Sequence, residues 1–164
     1  MRDAGLTLLE LLLVLAILGI LLALAGLNFG GSARALAVTG FAHELALAIQ
    51  QSATRANTNN QVYAVRYAST GVTWGPVASS MTLSGCETAS TAPALASATG
   101  TVAAPTGITT PAGWLCISAP GLVTRLDQLT PCNENGVSIP CLAVRRGTTA
   151  RRVLVSGNGQ TEVR

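Results

Sequence analysis

The feature that most constrains this chain is the apolar run from Leu6 to Leu27, broken near its start by a single carboxylate, Glu10. Apart from Thr7, Glu10, Gly19 and Gly26 every position in it is apolar, so one face cannot be wet while the other is buried. A helix that is hydrophobic all round belongs inside a membrane or inside a large assembly. At about 1.5 Å per residue the run is roughly 30 Å long, which matches a bilayer core. Beyond it there is no second hydrophobic stretch of this length, so the sequence predicts one membrane pass at most. Glu10 is the anomaly. An acidic side chain at bilayer depth costs roughly 2.5–3.5 kcal/mol on insertion scales, less near a helix end, and usually has a specific partner.

After the anchor the pattern becomes one-sided. Val38, Phe41, Ala42, Leu45, Ile49 and Ser52 recur at spacings of three and four, while Arg34, His43, Glu44, Gln50 and Gln51 fall elsewhere. This is the signature of an amphipathic helix over residues 28–56, continuing the anchor and laid on a head. The Asn-Thr-Asn-Asn at 57–60 stops it. Residues 57–164 read as a β-rich head. "QVYAVRYA" (61–68) and "VTWGPVA" (72–78) form a plausible hairpin, and "WLCISA" (114–119) resumes strand character. "CLAVRR", "RRVLVS" and "TEVR" close the chain as three short strands, joined by "GTTA" and by a tight Asn-Gly turn at 158–159. Residues 87–113, rich in Ala, Ser, Thr, Gly and Pro, suggest a long surface loop with little regular structure. The expected fold is therefore α+β, a long N-terminal helix on an antiparallel sheet.

Four cysteines, Cys86, Cys116, Cys132 and Cys141, all follow the anchor and contain no Cys-x-x-Cys spacing. An even count in an exported domain suits two disulfides better than a metal site. Three connectivities are open. The short polar segment between Cys132 and Cys141 favours closing that loop, which pairs Cys86 with Cys116. No metal-ligand cluster, nucleophile elbow or phosphate-binding loop marks the chain as an enzyme, and no cofactor is implied. His43 reads as a solvated helix residue, Asp127 and Glu134 as solvated loop acids, and Trp74 and Trp114 as sheet-packing residues. All ten basic side chains are arginine, for a modest formal charge of +3. With "GTTA" (147–150) as a four-residue loop, Arg146 would face Arg151 and Arg145 would face Arg152. Four guanidinium groups would then crowd one hairpin tip, a candidate contact with DNA phosphates or with an acidic face of a neighbouring subunit.

"GLTLLELLLVLAILGILLALA" resembles the processing and assembly signature of type IV pilins and of the pseudopilins of type II secretion: a short polar leader, Gly, a hydrophobic residue, Thr, a gap, Glu and a long apolar run. The resemblance implies a leader of residues 1–5, cut between Gly5 and Leu6 by a prepilin peptidase on the cytoplasmic face, with Leu6 then N-methylated. It implies a transmembrane and assembly helix over residues 6–27, and a Glu10 that meets the new α-amino group of a neighbouring subunit. Physical chemistry agrees, since either charge alone would be stranded in an apolar bundle. "QQSATRANTNNQVYAVRY", "GWLCI" and "RRVLVSGNGQTEVR" are also similar to heads of the GspH/FimT family of minor pilins and pseudopilins. The implied partners are the prepilin peptidase, other pilin subunits, an inner-membrane assembly platform and membrane lipid, with DNA as a partner if the arginines serve uptake. The implied location is the inner membrane, head outside the cytoplasm, and after assembly a periplasmic or cell-surface filament. Leu6 in place of the commoner Phe, and the absence of a proline near Leu27 and Asn28, depart from the family pattern. An ordinary secreted domain cut after Ala25 remains the alternative, since Ala23-Leu24-Ala25 satisfies the small-residue rule for signal peptidase.

Overall fold

The computed structural model describes residues 8–134 and 136–164; for 24–30, 127 and 134 it describes the backbone only. The first element is a helix, α1, spanning Leu8–Asn59. Its residues belong to two compact units, Met1–Ala35 and Leu36–Arg164.

In the second unit α1 presents the expected stripe. Val38, Phe41, Ala42, Leu45 and Ile49 are buried, as are Ala46, Ala48, Ala53 and Ala56 between them. The alanines let the helix sit close to the sheets. Ser52 is buried on the same stripe and satisfies its hydroxyl by donating to the Ala48 carbonyl one turn back, at 2.7 Å. The helix ends in the Asn-rich segment for a geometric reason. Asn60 takes a left-handed φ of 50°, and the Gln61 N–H reaches back to the Ala56 carbonyl at 3.3 Å. That is the six-to-one bond of a Schellman end, at a position where asparagine is tolerated.

Two antiparallel sheets follow. The first contains β1 (Tyr63–Ala68), β2 (Gly71–Pro76), β3 (Gly100–Ala103), β4 (Gly113–Ser118) and β5 (Leu122–Thr124), ordered β3-β2-β1-β4-β5. The second contains β6 (Thr130–Glu134), β7 (Val137–Arg146), β8 (Thr149–Val155) and β9 (Thr161–Val163), ordered as in the sequence. Val65, Val72, Leu115 and Ile117 of the first sheet and Leu142, Val144, Val153 and Val155 of the second share one core with α1. Fully burying each such side chain contributes about 1.5–3 kcal/mol. On the opposite face of the first sheet lies a smaller cluster of Ala64, Val77, Cys86 and Cys116.

The segment 87–113 holds β3 and the end of a short helix α2, Leu83–Thr88, capped by the Thr82 hydroxyl. Two expectations need correction. The stretch between Cys132 and Cys141 is strand on both sides of a turn, not a polar loop. The "GTTA" connection is a two-residue turn, with Arg146 opposite Thr149 and Arg145 opposite Ala150. Gly147 takes φ 60° at the first turn position, where only glycine is at ease and where a tight hairpin of type II′ wants it.

Candidate functional site

Glu10 lies in the first described turn of α1, exposed, within a helix whose large apolar side chains from Leu8 to Leu22 are all exposed too. A surface of that kind is stable only against lipid or other apolar helices. Gly5 and Leu6, the expected cleavage and methylation positions, lie outside the described residues. Among the described residues no helix is long and apolar enough to cross a membrane; the expected span of 6–27 runs past those described with side chains.

The corrected hairpin register changes what the C-terminal arginines can do. Val144 stands opposite Arg151, and Ala143 opposite Arg152. Side chains on a strand alternate faces, so the four arginines divide two and two. Arg146 and Arg151 share the face of the buried Val144, where the Arg151 Nε donates to the Thr39 hydroxyl of α1 at 3.2 Å. Arg145 and Arg152 lie diagonally on the other face, lining a groove with Thr109, Thr110 and Asn133. Across the β7–β8 hairpin none of these four arginines stands directly opposite another, so the like-charge pairing expected for the tip does not arise there; Arg152 instead stands opposite Arg164, with which it exchanges backbone hydrogen bonds at 2.8 and 2.9 Å.

Cys86 is bonded to Cys116 and Cys132 to Cys141. The first bridge fixes α2 to the outer face of β4; in the chain-entropy model a closed loop of its length stabilises by roughly 3–4 kcal/mol. His43 is exposed on α1, and Trp74 is buried in the main core. The side chains of Asp127 and Glu134 lie outside those described. Among the described residues no three of His, Cys, Asp and Glu come together as a metal site.

Sequence reasoning missed Arg125. It takes a left-handed φ of 64° and lays its guanidinium over the Trp114 ring, 4.0 Å from the centroid. Its Nη1 donates to the carbonyls of Glu87 and Ala89, while the Trp114 indole N–H donates to the Cys86 carbonyl at 3.4 Å. Tyr67 is pushed up to about 12 by burial, a rise that the nearby Arg125 charge partly opposes. A lone arginine far from its partners in sequence gives no local signal of this role.

Residues 1–26 match the prokaryotic N-terminal methylation motif. The fold is similar to that of the type IV minor pilin FimU of Pseudomonas aeruginosa (strain PAO1), at 13% identity over 77% of this chain and 87% of that one, with a TM-score of 0.54. A second crystal form of FimU gives 14% identity, 76% and 90% coverage and a TM-score of 0.52. No curated protein sequence matches. This chain is type IV pilin-like, with the methylation motif at its start and a minor-pilin fold beyond it.

Proposed function

We infer that the chain is a minor subunit of a type IV pilus or of a type II secretion pseudopilus. The observation that carries this reading is the methylation motif joined to a minor-pilin head in one chain. Cleavage between Gly5 and Leu6 by a prepilin peptidase creates a cation at the start of an apolar helix, and methylation keeps that charge. Glu10 stands about one turn away in the mature chain and meets the amine of a neighbouring subunit during assembly. Two charges that would each be stranded in an apolar bundle are thereby neutralised. Before assembly residues 6–27 hold the subunit in the inner membrane, head outside the cytoplasm; afterwards it sits in a periplasmic or surface filament with other pilin subunits. Its role is structural, and it is a substrate for processing enzymes.

Glu10→Ala tests the assembly step. Cleavage and head folding should be normal, since Glu10 lies in the first unit, while incorporation into filaments should fall sharply. Incorporation at the wild-type level would contradict the charge-pair mechanism. Near-normal assembly with Glu10→Gln would assign the contact to hydrogen bonding instead of charge.

A further inference from the structure

The outer face of the first sheet carries a row of four residues in direct cross-strand register: Thr101 opposite Thr73, Thr73 opposite Arg66, and Arg66 opposite Trp114. Directly paired residues point to the same side of a sheet, so the row crosses four strands on one face. All four line a groove of about 540 Å³ whose remaining walls are mostly small residues, among them Ala112 and Gly113. That volume lies within the usual range for small-ligand sites.

The chemistry of the row is specific. Arg66 is exposed, and among the described residues its guanidinium has no hydrogen-bond or ion-pair partner. Among the described residues no acidic side chain lines the groove. Among the described residues the Thr73 and Thr101 hydroxyls likewise make no hydrogen bond. Trp114 is half-buried and held in place by its own hydrogen bond to Cys86 and by Arg125 stacked on its ring. Arg125 does not line the groove but adds positive charge close behind it. The site thus offers one fixed aromatic surface, one unpaired cation and two unpaired hydroxyls, spaced at the strand separation of about 4.8 Å.

We propose that this row binds an acidic glycan, a chain of uronate sugars lying across the strands. The indole packs against the apolar face of one ring, Arg66 takes the carboxylate in a bidentate contact, and the threonines bond ring hydroxyls of the next sugars. Strand separation is close to the length of one sugar residue, so successive rings meet successive strands. A single-stranded nucleic acid fits less well, because such chains are held by several stacking rings and a continuous basic track. Here the row carries one ring and one guanidinium; Tyr67 also lines the groove, but its side chain belongs to the core face of β1. The inference holds for a pilus or a pseudopilus alike and does not depend on how the helix is processed.

The test uses the full chain in detergent micelles, titrated with an oligogalacturonate, a neutral malto-oligosaccharide of equal length and an oligodeoxythymidine. Tryptophan fluorescence and calorimetry report binding. Saturable binding of the oligogalacturonate is expected, weakened by salt and weakened about tenfold or more in Arg66→Gln, the loss expected for one charge-assisted contact. Thr73→Val should weaken binding several-fold, and serves as the second variant where Trp114→Phe disturbs the packing around Cys86. Absence of saturable binding would overturn the proposal. So would equal affinity for the neutral oligosaccharide, tighter binding of the oligodeoxythymidine, or an Arg66→Gln variant that binds as the wild type does.

Discussion

The guanidinium of Arg125 lies over the Trp114 ring and at the same time ties down two carbonyls at the C-terminal end of α2, those of Glu87 and Ala89. One side chain thereby joins the end of α2 to β4, beside the Cys86–Cys116 bridge that does the same covalently. Arg125→Ala should lose a cation–π contact and leave both carbonyls without a donor, destabilising the head by roughly 2–3 kcal/mol. Arg125→Lys should recover part of this, since a point charge cannot stack as a planar fork does. Urea unfolding under non-reducing conditions measures both, and an unchanged midpoint for Arg125→Ala would remove Arg125 from the framework.

Alkaline unfolding should report Tyr67. Its pKa is raised from 10.0 to about 12 by burial, so the folded state disfavours the phenolate. Above pH 10 the unfolded chain loses the phenolic proton while the folded one keeps it, and stability falls as pH rises. The contribution is constant below about pH 10, declines between 10 and 12, and levels off above; the total loss is roughly 1–3 kcal/mol. Tyr67→Phe should flatten that part of the stability curve. An identical alkaline decline in wild type and variant would assign it to other groups.

The turn glycines should respond unequally. Gly159 has φ 79°, and a Cβ there would approach the Ala53 Cβ to 2.6 Å and the Gly121 carbonyl to 3.2 Å. Gly136 has φ 83°, and among the described residues nothing lies within 4 Å of a Cβ placed there. Gly136→Ala should cost about 1 kcal/mol from backbone strain alone, whereas Gly159→Ala adds a clash with α1 and should cost about 2–4 kcal/mol. Thermal unfolding of the two variants would separate them, and equal losses would show that the β8–β9 turn does not press on the helix.

The divided arginines make a further contrast. Arg151→Gln removes the Nε donor from the Thr39 hydroxyl on α1 and should destabilise by about 1 kcal/mol. Arg145→Gln, on the exposed opposite face, should change stability by less than about 0.5 kcal/mol. The reverse order would contradict the hairpin register.

What could be read from the sequence was whatever repeats at a fixed period or sits at a recognisable spacing. The stripe of Val38, Phe41, Leu45 and Ile49 is buried because its period is that of a helix. β1, β2 and β4 follow from alternation and β-branched content. β3 was hidden because only Thr101 and Val102 carry strand preference inside an Ala/Ser/Thr-rich stretch, and pairing with β2 supplies the rest. The hairpin register was misread because Gly147-Thr148 suffices as a turn, and a shift of that kind relocates every arginine. The row of Arg66, Thr73, Thr101 and Trp114 joins residues far apart in the chain and becomes visible only once the strand order is known.

The central claim is that a pilin-type N-terminus drives assembly of this head, and it is tested most directly by the intact mass of the protein isolated from its native host. The mature chain should begin at Leu6 with its α-amino group methylated, the leader of residues 1–5 removed. A chain still beginning at Met1, or one beginning at Gly26 after signal-peptidase cleavage, would contradict it.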